Sequence, residues 1–153
     1  MSGQNNKLEL IWWLFTAIVV VAVIFPIHNN LSSYPFLWQN ILFIVVLITL
    51  TRFVFLLEHT VLANRTKLKV GIVLVSVPII FLLIEQLSAF QTYMDEITFD
   101  QFMTGLPLGK QQSMNKYLHS EMLFFGVGAV IISIIFPFRM VLSVWKDRNS
   151  QKV

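Results

Sequence analysis

"LELIWWLFTAIVVVAVIFPI", residues 8–27, decides what kind of protein this is. A carboxylate, Glu9, stands near its start and a hydroxyl, Thr16, interrupts it; every other position is apolar. A soluble amphipathic helix keeps a polar face for water, and this segment has none. A bilayer's hydrocarbon core is about 30 Å thick and needs roughly 20 such residues in a helix, so the stretch reads as a membrane span. Its only charged n-region residue is Lys7, and no small-x-small cleavage pattern follows Pro26, so a retained helix is expected rather than a signal peptide. Trp12 and Trp13 fall near its start, where indole rings favour the interface, and Trp38 and Trp145 mark other span ends.

Three further segments of the same kind follow, at about 36–57, 69–90 and 118–142. Of the 153 residues 56% are hydrophobic and only 12% charged, against about 25% charged in an ordinary soluble domain. The spans and their connections use nearly all of the chain, so any function sits in or beside the bilayer. The expected fold is an all-α membrane protein, a single polytopic domain built as a four-transmembrane-helix bundle. With no cysteine, disulfides, thiolate nucleophiles, CxxC redox pairs, iron-sulfur clusters and cysteine zinc sites are excluded. The net charge of +3 does not point to nucleic acid, because the basic residues flank apolar segments and no nucleic-acid motif is present.

The placement of Lys and Arg sets the expected orientation. Arg65, Lys67 and Lys69 lie between the second and third spans, and Lys146, Arg148 and Lys152 follow the fourth, whereas residues 28–34 carry neither Lys nor Arg. Both termini are therefore expected on the cytoplasmic side, and a bacterial inner membrane is the expected location. The connection at about 91–117 carries Asp95, Glu96 and Asp100 against Lys110 and Lys116, which suits the outer face. Within it Thr98 and Gln101 have capping-box spacing, and Phe99, Phe102, Met103 and Leu106 share one helical face before Pro107. That pattern predicts a short amphipathic helix lying on the outer surface.

The polar residues inside the spans fall into two layers. In "LITLTRFVFLLEH", residues 47–59, Arg52 lies about 8 Å from the inner end of its span at 1.5 Å per residue, within snorkelling reach. Glu9 and Glu58 are its candidate partners, and Thr49, Arg52 and His59 lie along one stripe of the helix, an inner-side ion-pair or lipid-phosphate site. The outer layer centres on Glu85, about 7 Å below the outer edge by the same rise, and on Glu121 at the start of the fourth span. Two carboxyls at one depth in a low dielectric can share a proton or hold a cation. His28, His119, Gln86 and Asn40 map to the same layer. Arg52 and Glu85 approach opposite surfaces, about 15 Å apart along the membrane normal, so they are not expected to pair.

Gly126, Ala129 and Ser133 form a small-residue face on the fourth span, which suits close helix packing within the chain. Pro78 and Pro137 remove backbone donors inside spans three and four and are expected to kink them. HExxH, GxSxG, Walker and dinucleotide motifs are missing, the three histidines are scattered, and no cofactor is implied. The leading expectation is a non-enzymatic subunit, scaffold or accessory factor of a larger membrane complex, with lipids and other membrane subunits or further copies of itself as partners. The alternative is an oligomeric ion- or proton-coupled transporter or channel working through Glu85 and Glu121.

Overall fold

A computed structural model describes residues 2–31, 33–57, 60, 66–96, 103 and 105–150. These residues form four helices and no strand: α1 Ser2–Asn30, α2 Leu37–Phe55, α3 Thr66–Glu96 and α4 Leu108–Ser150. All four contain a stretch long and apolar enough to cross a membrane.

The helices outrun the apolar segments, most of all in α4, which begins at Leu108 where the sequence suggested about 118. Hydropathy detects only the part of a helix that lipid can cover. The preceding stretch 108–117, LGKQQSMNKY, is polar but rich in good helix formers, so nothing stops the backbone before Pro107. That proline has no N–H to give, and its carbonyl accepts from Lys110 and Gln111 at 2.8 and 3.0 Å. Polar side chains inside the helices turn back on their own backbones: Thr16 donates to the Trp12 carbonyl at 2.8 Å and Ser76 to the Val73 carbonyl at 2.7 Å. Of the expected surface helix, Thr98, Phe99, Gln101 and Phe102 lie outside the described residues; Met103 is buried, and its carbonyl accepts from the Leu106 N–H at 3.0 Å.

Interhelical hydrogen bonds fix the relative directions. Glu9, early in α1, meets Arg52, late in α2, and Lys69, early in α3, meets Ser143, late in α4. Asn40, early in α2, meets Glu121 in the first half of α4, close to Tyr117, which reaches Val23 of α1. Successive helices therefore run antiparallel. One end of the molecule, the terminal end, carries the start of α1 and the end of α4; the far end carries the α1–α2 and α3–α4 connections.

Helix α4 is the spine: α2 and α3 both pack along it, and α1 leans mainly on α2. Glycine makes this close approach possible. A Cβ at Gly126 would sit 2.7 Å from Leu87 of α3, and one at Gly128 would sit 3.2 Å from Leu47 of α2. Gly126, Ala129 and Ser133 are all buried, so the small-residue face is used for packing within the chain. The core has two parts. At the far end Ile27, Phe43, Phe90, Leu118 and Met122 form a dense cluster; towards the terminal end Val54, Leu57, Ile132, Phe136 and Met140 form a smaller one.

Candidate functional site

At the terminal end the structure gathers cations. Arg52 is 6% exposed, and its guanidinium grips Glu9 with both arms: Nη1 donates to Oε2 at 2.8 Å, and Nη2 donates to Oε1. This fork-to-fork arrangement is the geometry that a guanidinium and a carboxylate form best. The guanidinium carbon also lies 5.8 Å from the centre of the Phe53 ring. Of the two partners the sequence offered to Arg52, Glu9 is engaged; Glu58 and His59 lie outside the described residues. Thr49, one helical turn from Arg52, does not line the small cavity formed by Arg52, Leu8, Trp12, Leu56 and Thr60, and faces a different one.

Two more cations at this end bind neighbouring helices, and sequence reasoning had given neither a partner. Lys69 is buried and donates from Nζ to Ser143 Oγ at 2.9 Å. Arg139 donates from Nε to the Val54 carbonyl at 3.1 Å. That carbonyl lies in the last turn of α2, where acceptors lack helical donors, so Arg139 caps α2 from α4. The signal was legible, because Arg139, like Arg52, stands just before the predicted end of its span.

At the far end Asn40, wholly buried, donates its Nδ2 to Oε1 of Glu121, itself 7% exposed. Tyr117 donates its hydroxyl to the Val23 carbonyl at 2.9 Å, tying α4 to α1. Tyr34, buried in the α1–α2 connection, has its phenol pushed well above its ordinary range, first by burial and then by the charge of Glu121. His119 stacks obliquely on Phe90, ring centres 5.8 Å apart. Asn40 Oδ1, Glu121 Oε2 and His119 Nδ1 are buried and have no hydrogen-bond partner among the described residues. Two of these atoms are oxygens able to face a proton or a small hard cation. Among the described residues no three of His, Asp and Glu come together as a metal site. Tyr34 and Tyr117 were missed in the sequence because a tyrosine beside a span reads as an interfacial anchor.

Of the other residues assigned to this layer, Glu85 and His28 are exposed, away from the enclosed Asn40–Glu121 pair. α3 turns Leu83, Phe90 and Met94 inward. At about 100° per residue, Glu85 is rotated about 200° from Leu83 and faces away from the bundle. It stands on an exposed flank of α3 with Ser88, Thr92 and Glu96. Gln86 is partly buried beside it, and His28 is exposed in the last turn of α1. Glu85 and Glu121 therefore occupy different surroundings, one facing outward and the other enclosed.

The polar groups of the spans thus fall into three settings: a cation cluster that staples helix ends, an enclosed amide–carboxyl pair, and a polar stripe on the outside of α3. No protein-family model, no curated protein and no solved structure matches this chain.

Proposed function

We propose that this chain is a non-enzymatic subunit or accessory factor that works by binding another membrane protein through the far half of α3. The observation that carries the reading is the outward stripe of Glu85, Ser88, Thr92 and Glu96 along the far half of α3, which begins among exposed apolar residues such as Phe81 and Ile84. A carboxyl group facing lipid is costly within the hydrocarbon region, and hydrogen-bonding side chains at three-and-four spacing suit a partner helix that brings donors or a cation. The unsatisfied atoms of Asn40 and Glu121 are enclosed, whereas this stripe is exposed on the outside of the bundle, where a partner helix can reach it. The distribution of Lys and Arg supports both termini in the cytoplasm of a bacterial inner membrane, with residues 98–106 as an amphipathic surface element on the other side. The test is affinity capture of the tagged chain from its native membranes. A membrane protein recovered with the wild type and lost with Glu85→Leu and Thr92→Leu supports the reading; equal recovery with both variants refutes it.

A second reading rests on the Asn40–Glu121 layer, where Glu121 Oε2 and Asn40 Oδ1 remain free for a proton or cation. On that reading several copies form a carrier or channel. Proteoliposomes that show cation or proton flux abolished by Glu121→Gln and kept by Glu85→Gln would favour it, and a flux equal to empty vesicles would end it.

A further inference from the structure

At the terminal end, opposite the Glu85 stripe, a groove of about 270 Å³ runs between α3 and α4 on the outside of the bundle. Val70, Val73 and Leu74 form one wall, and Val141 and Val144 the other. Val70, Leu74 and Val141 are exposed, so the groove is open to lipid along its length. Its mouth has a different chemistry. Trp145, 66% exposed, and the exposed Arg148 line it from α4. On α3 the exposed Lys67 precedes Val70 and Leu74 by three and seven positions, on the same helical stripe. Arg52, Lys69 and Arg139 at this end are engaged with Glu9, Ser143 and Val54. Lys67 and Arg148 make no hydrogen bond or ion pair among the described residues. Two helices thus bring one cation each to the mouth of a single apolar groove.

We infer that this groove binds an anionic glycerophospholipid, with one acyl chain lying against the valines and the phosphate held by Arg148 and Lys67. Depth carries the assignment. The Lys69–Ser143 hydrogen bond sets the two helices level where both apolar segments end. Arg148 lies five residues beyond Ser143 and Lys67 two residues before Lys69, so they stand about 8 and 3 Å outside that level. The headgroup layer beside the hydrocarbon core is about 5–7 Å deep, and long basic side chains span the difference. Val141 and Leu74 lie about 3 and 8 Å inside the same level. One lipid therefore meets cations at its phosphate and valines along its chain, in the order that the groove presents them. Trp145 stands between, at the level that indole rings favour. The guanidinium donates two N–H groups to phosphate oxygens, and Lys67 adds a point charge. Net negative charge selects among lipids, because a zwitterionic headgroup brings its own ammonium to the phosphate and competes with both side chains. A partner helix, about 10–12 Å across, is too wide for the groove. A free phosphate leaves its apolar length unused.

The test uses the full chain in a Trp12→Phe, Trp13→Phe, Trp38→Phe background, so that Trp145 alone fluoresces. It is reconstituted in vesicles of phosphatidylcholine with brominated chains, which quench on contact. Unbrominated phosphatidylglycerol is then mixed in. Recovery of Trp145 fluorescence beyond that given by the same share of unbrominated phosphatidylcholine measures its preference for the groove. One basic group beside an anionic headgroup is worth about five-fold, so the two together should favour phosphatidylglycerol by about 25-fold at low salt. Arg148→Gln and Lys67→Gln should each lower the preference about five-fold, and the double variant should abolish it. Lys7→Gln removes an exposed cation of α1 at the same end and should leave the preference unchanged, which separates a site from a diffuse surface potential. Val70→Phe fills the groove without removing a cation and should abolish the preference. If that variant does not fold, as read by circular dichroism, Val141→Phe on the opposite wall serves the same purpose. Sodium phosphate should lower the preference no more than sodium chloride of equal ionic strength, which separates a lipid from a free anion. Equal affinity for the two lipids, a preference that survives the double variant or the filled groove, a loss in Lys7→Gln as large as in Arg148→Gln, or specific displacement by phosphate would each overturn the inference.

Discussion

The bidentate pair between Arg52 and Glu9 gives the sharpest quantitative expectation. Glu9→Gln keeps the length of the side chain and removes its charge, so the guanidinium faces an amide while still almost wholly buried. Removing one partner of a buried pair costs about 3–5 kcal/mol when the orphaned charge cannot escape. Here the Glu9 side chain is 24% exposed, and Arg52 lies close enough to the end of α2 to snorkel, so screening and escape place the loss lower, at about 2 kcal/mol. Arg52→Met strands the carboxylate instead, and the more accessible Glu9 should recover solvent at a loss of about 1 kcal/mol. The double variant leaves no orphan, and its total loss should also be about 1 kcal/mol. The coupling is then about 2 kcal/mol, well above the roughly 0.6 kcal/mol average of interhelical hydrogen bonds in membranes. Reversible unfolding in mixed micelles, followed by circular dichroism for the wild type and the three variants, measures it. A double variant equal to the sum of the singles would refute the claim that these two groups hold α1 against α2.

Other expectations follow from the packing. Asn40→Leu should destabilise the fold by about 1–3 kcal/mol by stranding Glu121, whereas Glu121→Gln, which can still accept from Asn40, should stay within about 1 kcal/mol of wild type in the same assay. Gly71→Ala meets no neighbouring atom and should stabilise α3 by about 0.5–1 kcal/mol through helix propensity alone. Gly126→Leu must push Leu87 aside and should lower the unfolding temperature in detergent, an effect that the smaller side chain in Leu87→Ala relieves in the double variant. Tyr117→Phe removes the bond to Val23 and should cost about 1 kcal/mol, with protease cleavage of α1 rising first because α1 has few other ties to α4.

The four helices were legible because lipid imposes a simple rule on composition, and the run at 8–27 obeys it on all sides. Their ends were not, because hydropathy is silent where a helix continues into water: Lys110, Gln111 and Gln112 look like loop by polarity and like helix by propensity. Depth could also be read from position along the chain, which is how the sequence sets Arg52 and Glu9 on the same side. Rotation about the helix axis could not. Which way Glu85 and Glu121 turn depends on which faces of α3 and α4 bury apolar surface, and both faces are apolar. Asn40 against Glu121 is an 81-residue separation that no local pattern encodes.

Because α4 is the spine, the order of synthesis matters. A ribosome makes α1, α2 and α3 before the helix on which two of them pack, so three membrane segments wait in the bilayer with Asn40, Leu47 and Leu87 facing lipid or one another. During that interval Asn40 lacks its Glu121 partner, and Leu47 and Leu87 lack the glycines they pack on. Assembly is therefore gated by arrival of α4, and a ribosome stalled before Leu108 should leave α2 and α3 without the helix on which they pack.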